Sequence, residues 1–220
     1  MQIVIGDVLK FDELAAIREA LEHARFVDGK DTAGFAARRV KDNRQADAGD
    51  RSLEAIRAMV AKRIMANDLF RIAVRPKQLS QLLFSRYEPG MEYGSHVDDA
   101  LMAGMRTDVA FTLFLEEPAD YDGGELVIES SGSDDAVKLP AGTMIAYPAT
   151  TLHRVAQVTR GRRHVAAGWA RSFIRDAAQR ELLFDLDTAR RTIFARDGKS
   201  SEFDMLSKSL ANLMRMWTDD

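Results

Sequence analysis

Two of the four histidines in this chain stand in settings that suit a metal ion. His96 is separated from Asp98 by one residue, and in an extended segment residues i and i+2 point to the same side. His153 opens another predicted strand further along the chain. Two imidazoles and one carboxylate on one face of a β-barrel form the facial triad of non-haem Fe(II) oxygenases, which leaves coordination positions open. The alternatives are a chance His-x-Asp pattern at the surface and a strand-end histidine bonded to backbone.

An arginine cluster follows the second histidine. Arg160, Arg162 and Arg163 surround a glycine, and such a cluster is usually a solvated loop. Arg163, however, begins a predicted strand, and a guanidinium in the mouth of a barrel is costly unless it meets an anion. Its planar fork fits the far end of a dicarboxylate. The sequence therefore predicts an anion site beside the metal site. Alternation along the strand turns His164 to the opposite face, where we expect a structural role.

Short strands separated by Gly and Pro turns dominate the middle of the chain. Many such strands without intervening helices indicate a sandwich or barrel, and helical patterns flank them on both sides. The predicted fold class is therefore mainly β with flanking helices. The predicted strands span 81–87, 93–97, 108–115, 125–129, 136–139, 143–147, 153–159 and 163–172.

Apolar residues at helical spacing predict helices at both ends of the chain. Asp12 is expected to cap the first helix, and Asp50 or Ser52 the second. The last stripe is expected to pack on the barrel or on the N-terminal helices, with a dimer face as the alternative. The apolar stripes span 14–24, 53–64, 182–186 and 203–217.

The polar stretch from Val27 to Gly49 is predicted to be a long loop with one short strand at most. Long ordered loops in compact domains are often functional, and this one could serve as a lid over the site. A flexible surface connection is the alternative.

Composition excludes several kinds of chemistry. The 220 residues include no cysteine, which excludes disulfides, thiolate catalysis, cysteine-ligated zinc and iron–sulfur clusters. A formal net charge of −3 argues against broad nucleic-acid affinity. No apolar run reaches the length of about 20 residues that a membrane helix needs, and the N-terminus lacks the features of a signal peptide. The cytoplasm is the simplest location to expect.

The sequence motifs around these residues resemble those of the bacterial PKHD-type hydroxylases. These are small relatives of the prolyl and lysyl hydroxylases in the iron- and 2-oxoglutarate-dependent dioxygenase superfamily. The resemblance spans nearly the whole chain. It is carried by Phe84-Ser85-Arg86-Tyr87, Tyr93-Gly94-Ser95-His96-Val97-Asp98, Arg106-Thr107-Asp108, Asp122-Gly123-Gly124-Glu125-Leu126, Leu139-Pro140-Ala141-Gly142, Leu152-His153-Arg154-Val155, Thr159-Arg160-Gly161 and the closing Asn212-Leu213-Met214-Arg215-Met216-Trp217.

The resemblance implies a double-stranded β-helix (jelly-roll) core in which His96, Asp98 and His153 hold catalytic Fe(II). It implies that Arg163 binds the distal carboxylate of 2-oxoglutarate and that Tyr87 reaches the same carboxylate; a half-buried strand aromatic is the alternative for Tyr87. The implied activity is hydroxylation of an unidentified substrate by O2, with release of succinate and CO2 and with ascorbate as the reductant of iron. A link to iron homeostasis is implied by resemblance alone.

The chain is expected to divide into N-terminal helices and lid loop over 1–77, the dioxygenase core over 78–175 and a C-terminal helical extension over 176–220. Asn43 and Gln45 match polar positions of the family that could face the substrate, and Gly168 leaves the shape of the pocket open. Expected partners are 2-oxoglutarate, O2 and the substrate, with no nucleic acid or membrane; a homo-oligomer could form through the C-terminal helix. The rival functions are a nucleic-acid demethylase of the same superfamily and a cupin-like metal-binding or sensing module without turnover.

Overall fold

Two antiparallel sheets face one another in the computed structural model, which describes residues 1–219. The strands are, in chain order, β1 (Ile3–Ile5), β2 (Phe26–Asp28), β3 (Lys41–Asp42), β4 (Arg44–Ala46), β5 (Pro76–Leu79), β6 (Leu83–Tyr87), β7 (Glu92–His96), β8 (Leu101–Met102), β9 (Met105–Arg106), β10 (Val109–Phe114), β11 (Tyr121–Gly123), β12 (Leu126–Ile128), β13 (Asp135–Val137), β14 (Met144–Pro148), β15 (His153–Val155), β16 (Val158–Gly161) and β17 (Arg163–Ser172).

The major sheet has the order β1-β14-β10-β17-β6-β4-β2, and β5 also pairs with β17. The minor sheet has the order β13-β12-β15-β7-β3, and two short ribbons, β8-β9 and β11-β16, complete the strand pairing. Tyr87, Phe114 and Tyr147 belong to the apolar core between the two sheets. This arrangement confirms the predicted mainly β fold with a jelly-roll core.

Five α-helices flank the strands in the described part of the chain: α1 (Phe11–His23), α2 (Glu54–Ala66), α3 (Asp68–Val74), α4 (Ala177–Asp197) and α5 (Ser201–Trp217). The first three pack on the outer face of the major sheet, where Ile17, Ile64 and Phe70 share a core with Phe84 and Phe111. The helices thereby hold the major sheet as a rigid wall behind the space between the sheets. No helix among residues 1–219 is both long and apolar enough to cross a membrane.

Two helix-capping predictions have different outcomes. Asp50 caps the turn that leads into α2, because its side chain accepts a hydrogen bond from the backbone of Ser52 at 2.9 Å. The prediction for Asp12 is wrong: the N-cap of α1 is Lys10, two residues earlier, and the Glu13 carboxylate accepts from the Lys10 backbone N–H at 2.9 Å. Glu13 occupies the third helical position, from which a carboxylate can turn back to the cap.

The C-terminal helices depart from the prediction. The apolar side of α5 packs on α4 and on Ile174, the residue that follows the last barrel strand closely, and not on the barrel or the N-terminal helices. Leu183 and Leu210 are the buried contacts between the two helices. Helix α4 continues beyond the predicted stripe to Asp197, which gives α5 a partner of comparable length.

The stretch from Val27 to Gly49 is more ordered than a loop. It contains part of β2 together with β3 and β4, and two 3-10 turns lie between β2 and β3. Strand β3 pairs with β7 of the minor sheet, whereas β4 pairs with β6 of the major sheet. The chain therefore crosses from one sheet to the other at Asn43 and closes one side of the space between them.

Candidate active site

His96, Asp98 and His153 meet at one end of the minor sheet. His96 ends β7 and His153 begins β15, and the two residues are paired across these strands. Asp98 follows β7 by two residues, and its Oδ1 lies 4.0 Å from Nε2 of His96 and 3.8 Å from Nε2 of His153. One ligand atom from each residue falls within 4.8 Å of the other two. The two strands thus bring three predicted ligands, far apart in sequence, to one point.

Backbone carbonyl groups fix the orientation of both imidazole rings. Nδ1 of His96 lies 2.9 Å from the carbonyl oxygen of Gly94, and Nδ1 of His153 lies 3.0 Å from that of Thr151. If each Nδ1 carries the proton and donates it, each Nε2 keeps a lone pair that points towards Asp98. Burial, with help from His153 and Lys41, lowers the pKa of His96 to about 3, so this ring is neutral near pH 7 and able to bind a metal.

Asp98 is a buried carboxylate whose charge is not compensated by a nearby Lys or Arg ion pair among residues 1–219. Its side chain is 7% exposed and its Oδ2 is buried with no hydrogen-bond partner in the described chain. Burial raises the pKa of Asp98, and the nearby His153 opposes that rise. The indole N–H of Trp169 lies close enough to lower the pKa as well, although it stays outside hydrogen-bonding geometry. A divalent cation would compensate this buried charge, and the donor set of two imidazole nitrogens and a carboxylate suits Fe(II).

Arg163 is the largest fully buried side chain of the protein, with 1% exposure. Neither its Nε nor its Nη1 has a hydrogen-bond partner, and no carboxylate among residues 1–219 forms an ion pair with it. Its guanidinium instead lies over the rings of Tyr87, at 5.0 Å, and Phe114, at 5.5 Å. A buried cation held mainly by aromatic faces is strongly disfavoured unless an anion joins it.

Gly124 makes room for this arginine. Its φ of +68° lies in the left-handed region, and a Cβ at this position would approach Cδ of Arg163 to 2.9 Å. A side chain here would therefore be strained by the backbone and would also displace the guanidinium.

Tyr87 lies directly across from Arg163 in the pairing of β6 with β17. The side chain is fully buried, not half-buried, and it lines the same pocket. Burial raises the pKa of Tyr87 and the charge of Arg163 lowers it, so the phenol keeps its proton and can donate it. The structure therefore brings Tyr87 and Arg163 together on one wall.

A row of buried polar side chains forms another wall. Lys41, Asn43 and Gln45 alternate with exposed residues, so all three face inwards from β3 and β4 and line the pocket. Neither polar atom of the Asn43 side chain has a hydrogen-bond partner among residues 1–219, although the amide is near enough to Tyr87 to lower the pKa of its phenol. Gln45, in contrast, bonds to Thr32 and Ser85. Asn43 and Gln45 were expected at the site, but Lys41 was not. The segment around Lys41 has one apolar residue, the exposed Val40, and so gives no hydrophobic alternation that would reveal a strand.

These walls enclose one pocket of about 790 Å³, a volume that includes its open mouth. The triad and Arg163 both line it, together with Ala110, Val165 and Ala167 of the major sheet. The small side chains leave space between the triad and the guanidinium. That space can hold an elongated dianion with one end at the metal site and the other at Arg163.

His164 faces away from this pocket, whereas Gly168 lines it. His164 is buried on the outer side of β17, where its Nδ1 lies 2.7 Å from Oε1 of Glu116, and its expected structural role fits this position. A Cβ at Gly168 would come within 2.6 Å of the Phe111 ring in the core behind the sheet. Gly168 therefore accommodates the Phe111 ring, and both residues line the pocket wall.

Comparisons with known proteins place this geometry in a class. Residues 82–171 match the 2OG-Fe(II) oxygenase superfamily, and residues 177–219 match the PKHD-type hydroxylase C-terminal domain. The fold is similar to a Pseudomonas putida prolyl-4-hydroxylase, with 21% identity, a TM-score of 0.54, and coverage of 78% of this chain and 92% of that one. It is also similar to HygX from Streptomyces hygroscopicus, with 17% identity, a TM-score of 0.56, and coverage of 79% and 84%. The protein is thus an Fe(II)- and 2-oxoglutarate-dependent dioxygenase, with 2-oxoglutarate and O2 as co-substrates.

Closer relatives define the family. A PKHD-type hydroxylase of Picosynechococcus sp. is 55% identical over 98% of each chain, and one of Acaryochloris marina is 50% identical over the full length of both. The chain belongs to the PKHD-type hydroxylases.

Proposed function

We propose that this protein hydroxylates an unidentified primary substrate at a centre in which His96, Asp98 and His153 hold Fe(II), and in which Arg163 and Tyr87 hold the distal carboxylate of 2-oxoglutarate. The observation that carries the assignment is the pairing, in one pocket, of a buried His-Asp-His cluster with a buried arginine that has no anionic partner. A metal cluster alone would also suit a sensing module, and an arginine alone would suit any small anion. Together they match the two ends of a metal-bound keto-diacid.

The roles of the residues follow from their surroundings. The neutral Nε2 atoms of the two histidines and the Asp98 carboxylate bind the metal, and the Nδ1 contacts keep both rings in place. Arg163 offers two N–H groups to a carboxylate, and the Tyr87 hydroxyl can donate to the same group. Bound Fe(II) supplies the redox chemistry that couples conversion of 2-oxoglutarate into succinate and CO2 to hydroxylation by O2. The apolar core between the sheets excludes water from this end of the pocket.

Two solved neighbours support the co-substrate part of the proposal. HygX was crystallised with nickel and 2-oxoglutarate, and a viral collagen prolyl hydroxylase from Paramecium bursaria Chlorella virus-1 with 2-oxoglutarate. The latter shares 17% identity with this chain, which covers 96% of it at a TM-score of 0.51. At 17% sequence identity, these two structures support a common fold only. The assignment of roles to residues rests on the geometry of this pocket.

Other parts of the proposal have different grounds. Ascorbate as the reductant of iron and a link to iron homeostasis rest on family resemblance. The cytoplasm as the location rests on the cysteine-free composition, and association through the C-terminal helix rests on the apolar stripe of α5. We also retain the division into N-terminal helices and lid over 1–77, the dioxygenase core over 78–175 and the helical extension over 176–220. Asn43 and Gln45 are proposed to face the bound ligands, because both are buried in the pocket wall.

An anaerobic titration tests the proposal. Metal-free protein receives Fe(II) and then 2-oxoglutarate, while metal content and the visible absorption band of the chelate are measured. We expect one Fe(II) per chain, a band that appears with 2-oxoglutarate, and succinate after oxygen is admitted. Asp98→Asn should lose Fe(II) binding, whereas the control Asp135→Asn, at an exposed position of the minor sheet, should retain it.

Three results would contradict the proposal. Binding of Fe(II) without any band or succinate would favour the metal-sensing module. Fe(II) binding that survives Asp98→Asn unchanged would remove the triad from the metal site. Salt-sensitive retention on DNA together with succinate formation would instead favour the demethylase.

A further inference from the structure

Lys41 is a buried lysine close to the proposed metal centre. Its side chain lines the pocket from β3, and the residue is 5% exposed. Its Nζ lies 5.0 Å above the ring of Tyr93, and that ring stacks on the ring of His96 at 3.6 Å between centroids. The ammonium is therefore no farther from the His96 ring than these two distances combined.

The charge of Lys41 is poorly compensated. Its hydrogen bond within the described chain goes to Oγ1 of Thr32, at 3.0 Å, and no carboxylate of residues 1–219 lies within ion-pair distance. Burial lowers the pKa of Lys41 to about 8, and the more distant Asp98 and Asp28 counter part of that effect. A lysine with a purely structural role would expose its ammonium to water or pair it with an acid.

The other charges of the loaded site balance without Lys41. The two positive charges of Fe(II) are met by Asp98 and by one carboxylate of 2-oxoglutarate, and Arg163 meets the other carboxylate. Asp99, at the mouth, is exposed and screened by water. One buried positive charge remains, that of Lys41 in the pocket wall beside the Tyr93 ring.

We propose that Lys41 binds a carboxylate of the primary substrate, so that the enzyme acts on a small carboxylic acid or on an amino acid with a free carboxylate. The inference rests on the proposed function, because the charge balance assumes bound Fe(II) and 2-oxoglutarate. A carboxylate is favoured over a phosphate because a single negative charge neutralises the surplus, whereas a phosphate monoester brings nearly two. Lys41 is thereby a specificity-determining residue.

Matched acid and amide probes test this role by binding alone. The protein is loaded with Mn(II) and saturating 2-oxoglutarate, so that Arg163 is occupied and no turnover occurs. It is then titrated calorimetrically with the N-acetyl derivatives of the common amino acids and with their primary amides, which lack the negative charge. A hydrogen-bonded ion pair in a buried site contributes about 1.5–3 kcal/mol, so we expect at least one acid to bind at least about 10-fold more tightly than its amide.

Variants assign the preference to Lys41. Lys41→Met should reduce it to less than about twofold, Lys41→Arg should retain part of it, and Lys30→Met, at an exposed position of the same segment, should leave it unchanged. Equal binding of acids and amides, absence of binding by every acid, or a preference that survives Lys41→Met would overturn the proposal. Binding of 2-oxoglutarate to the Mn(II) protein is measured first in every variant. If the wild-type Mn(II) protein does not bind 2-oxoglutarate, the proposed function is refuted. If it binds 2-oxoglutarate but shows no preference for acids over amides, this inference alone is refuted.

Discussion

Replacement of Arg163 by methionine separates two effects of this residue: its effect on the unfolding free energy and its effect on 2-oxoglutarate binding. In the empty protein, the guanidinium has lost its water and gained mainly aromatic contacts. Those contacts contribute about 0.5–2 kcal/mol each, whereas burial of an ion costs several kcal/mol. Methionine has a similar length and no charge. We therefore expect Arg163→Met to keep the unfolding free energy of the ligand-free protein, or to increase it by up to about 2 kcal/mol, a rise of roughly 4–8 °C in Tm.

The same substitution should remove the response to 2-oxoglutarate. Two charge-assisted hydrogen bonds to a carboxylate contribute about 3–5 kcal/mol together, so affinity should fall by roughly two to nearly four powers of ten. In the wild type with bound metal, 2-oxoglutarate at 100 times its Kd should stabilise the fold by about 2.7 kcal/mol, and this gain should vanish in the variant. Metal binding should persist, because Arg163 is not one of the three clustered ligand residues.

Thermal unfolding with and without 2-oxoglutarate, together with metal analysis, measures both effects. Arg162→Met is the matched control, since its neighbouring guanidinium is exposed and pairs with Glu22 at the surface. The reasoning is refuted if Arg163→Met binds 2-oxoglutarate as the wild type does. It is also refuted if the ligand-free variant loses more than about 2 kcal/mol, because Arg163 would then be a stabilising core residue.

Two further predictions concern Gly124 and His96. Gly124→Ala should weaken 2-oxoglutarate binding at least about 10-fold while Fe(II) binding is retained, because the new Cβ would push Cδ of Arg163 away. Calorimetry measures the affinity, and an unchanged affinity would mean that the arginine can shift freely. Gly132→Ala, in an open turn, is the control. For His96, the pKa of about 3 in the folded protein lies below the value of 6.5 in the unfolded chain. Below pH 6.5 the unfolded chain therefore binds a proton that the folded chain does not, and the free energy of unfolding decreases as the pH falls. Metal-free wild type should therefore lose about 2 kcal/mol more than His96→Gln between pH 7 and pH 5 in denaturant titrations; equal losses would show that burial does not hold this imidazole neutral.

The meeting of His96, Asp98 and His153 could be predicted from the sequence, because it follows from the alternation of side chains along a strand and from the pairing of two strands. His96 and Asp98 are two residues apart at a strand end, and His153 begins a strand that pairs with the first one. Arg163 could likewise be placed in the pocket, because it begins a predicted strand close after His153 and a guanidinium in a barrel mouth needs an anion. These residues stand out because each is a charged or metal-binding type next to an apolar strand pattern.

Other parts of the structure carry no such pattern. Strands β3 and β4 consist almost entirely of polar residues, and their inward side chains face a polar pocket instead of an apolar core. Periodicity of hydrophobic residues therefore cannot reveal them, and Lys41 is not predicted for this reason. The packing of α5 on α4 was missed for a different cause: an apolar stripe shows that a helix is covered but does not show by what.

The pairing of β3 and β4 also limits how the predicted lid could move. Because β3 is bonded to one sheet and β4 to the other, displacing residues 41–46 would break pairs with both walls and carry Lys41 and Asn43 out of the pocket. The part between β2 and β3, residues 29–40, is held by short 3-10 turns and carries Phe35, which is 83% exposed. Thr32, Gly34 and Ala37 of this part line the pocket. A closing movement would therefore be confined to residues 29–40, and it would have to break the hydrogen bonds that link Thr32 to Lys41 and Gln45.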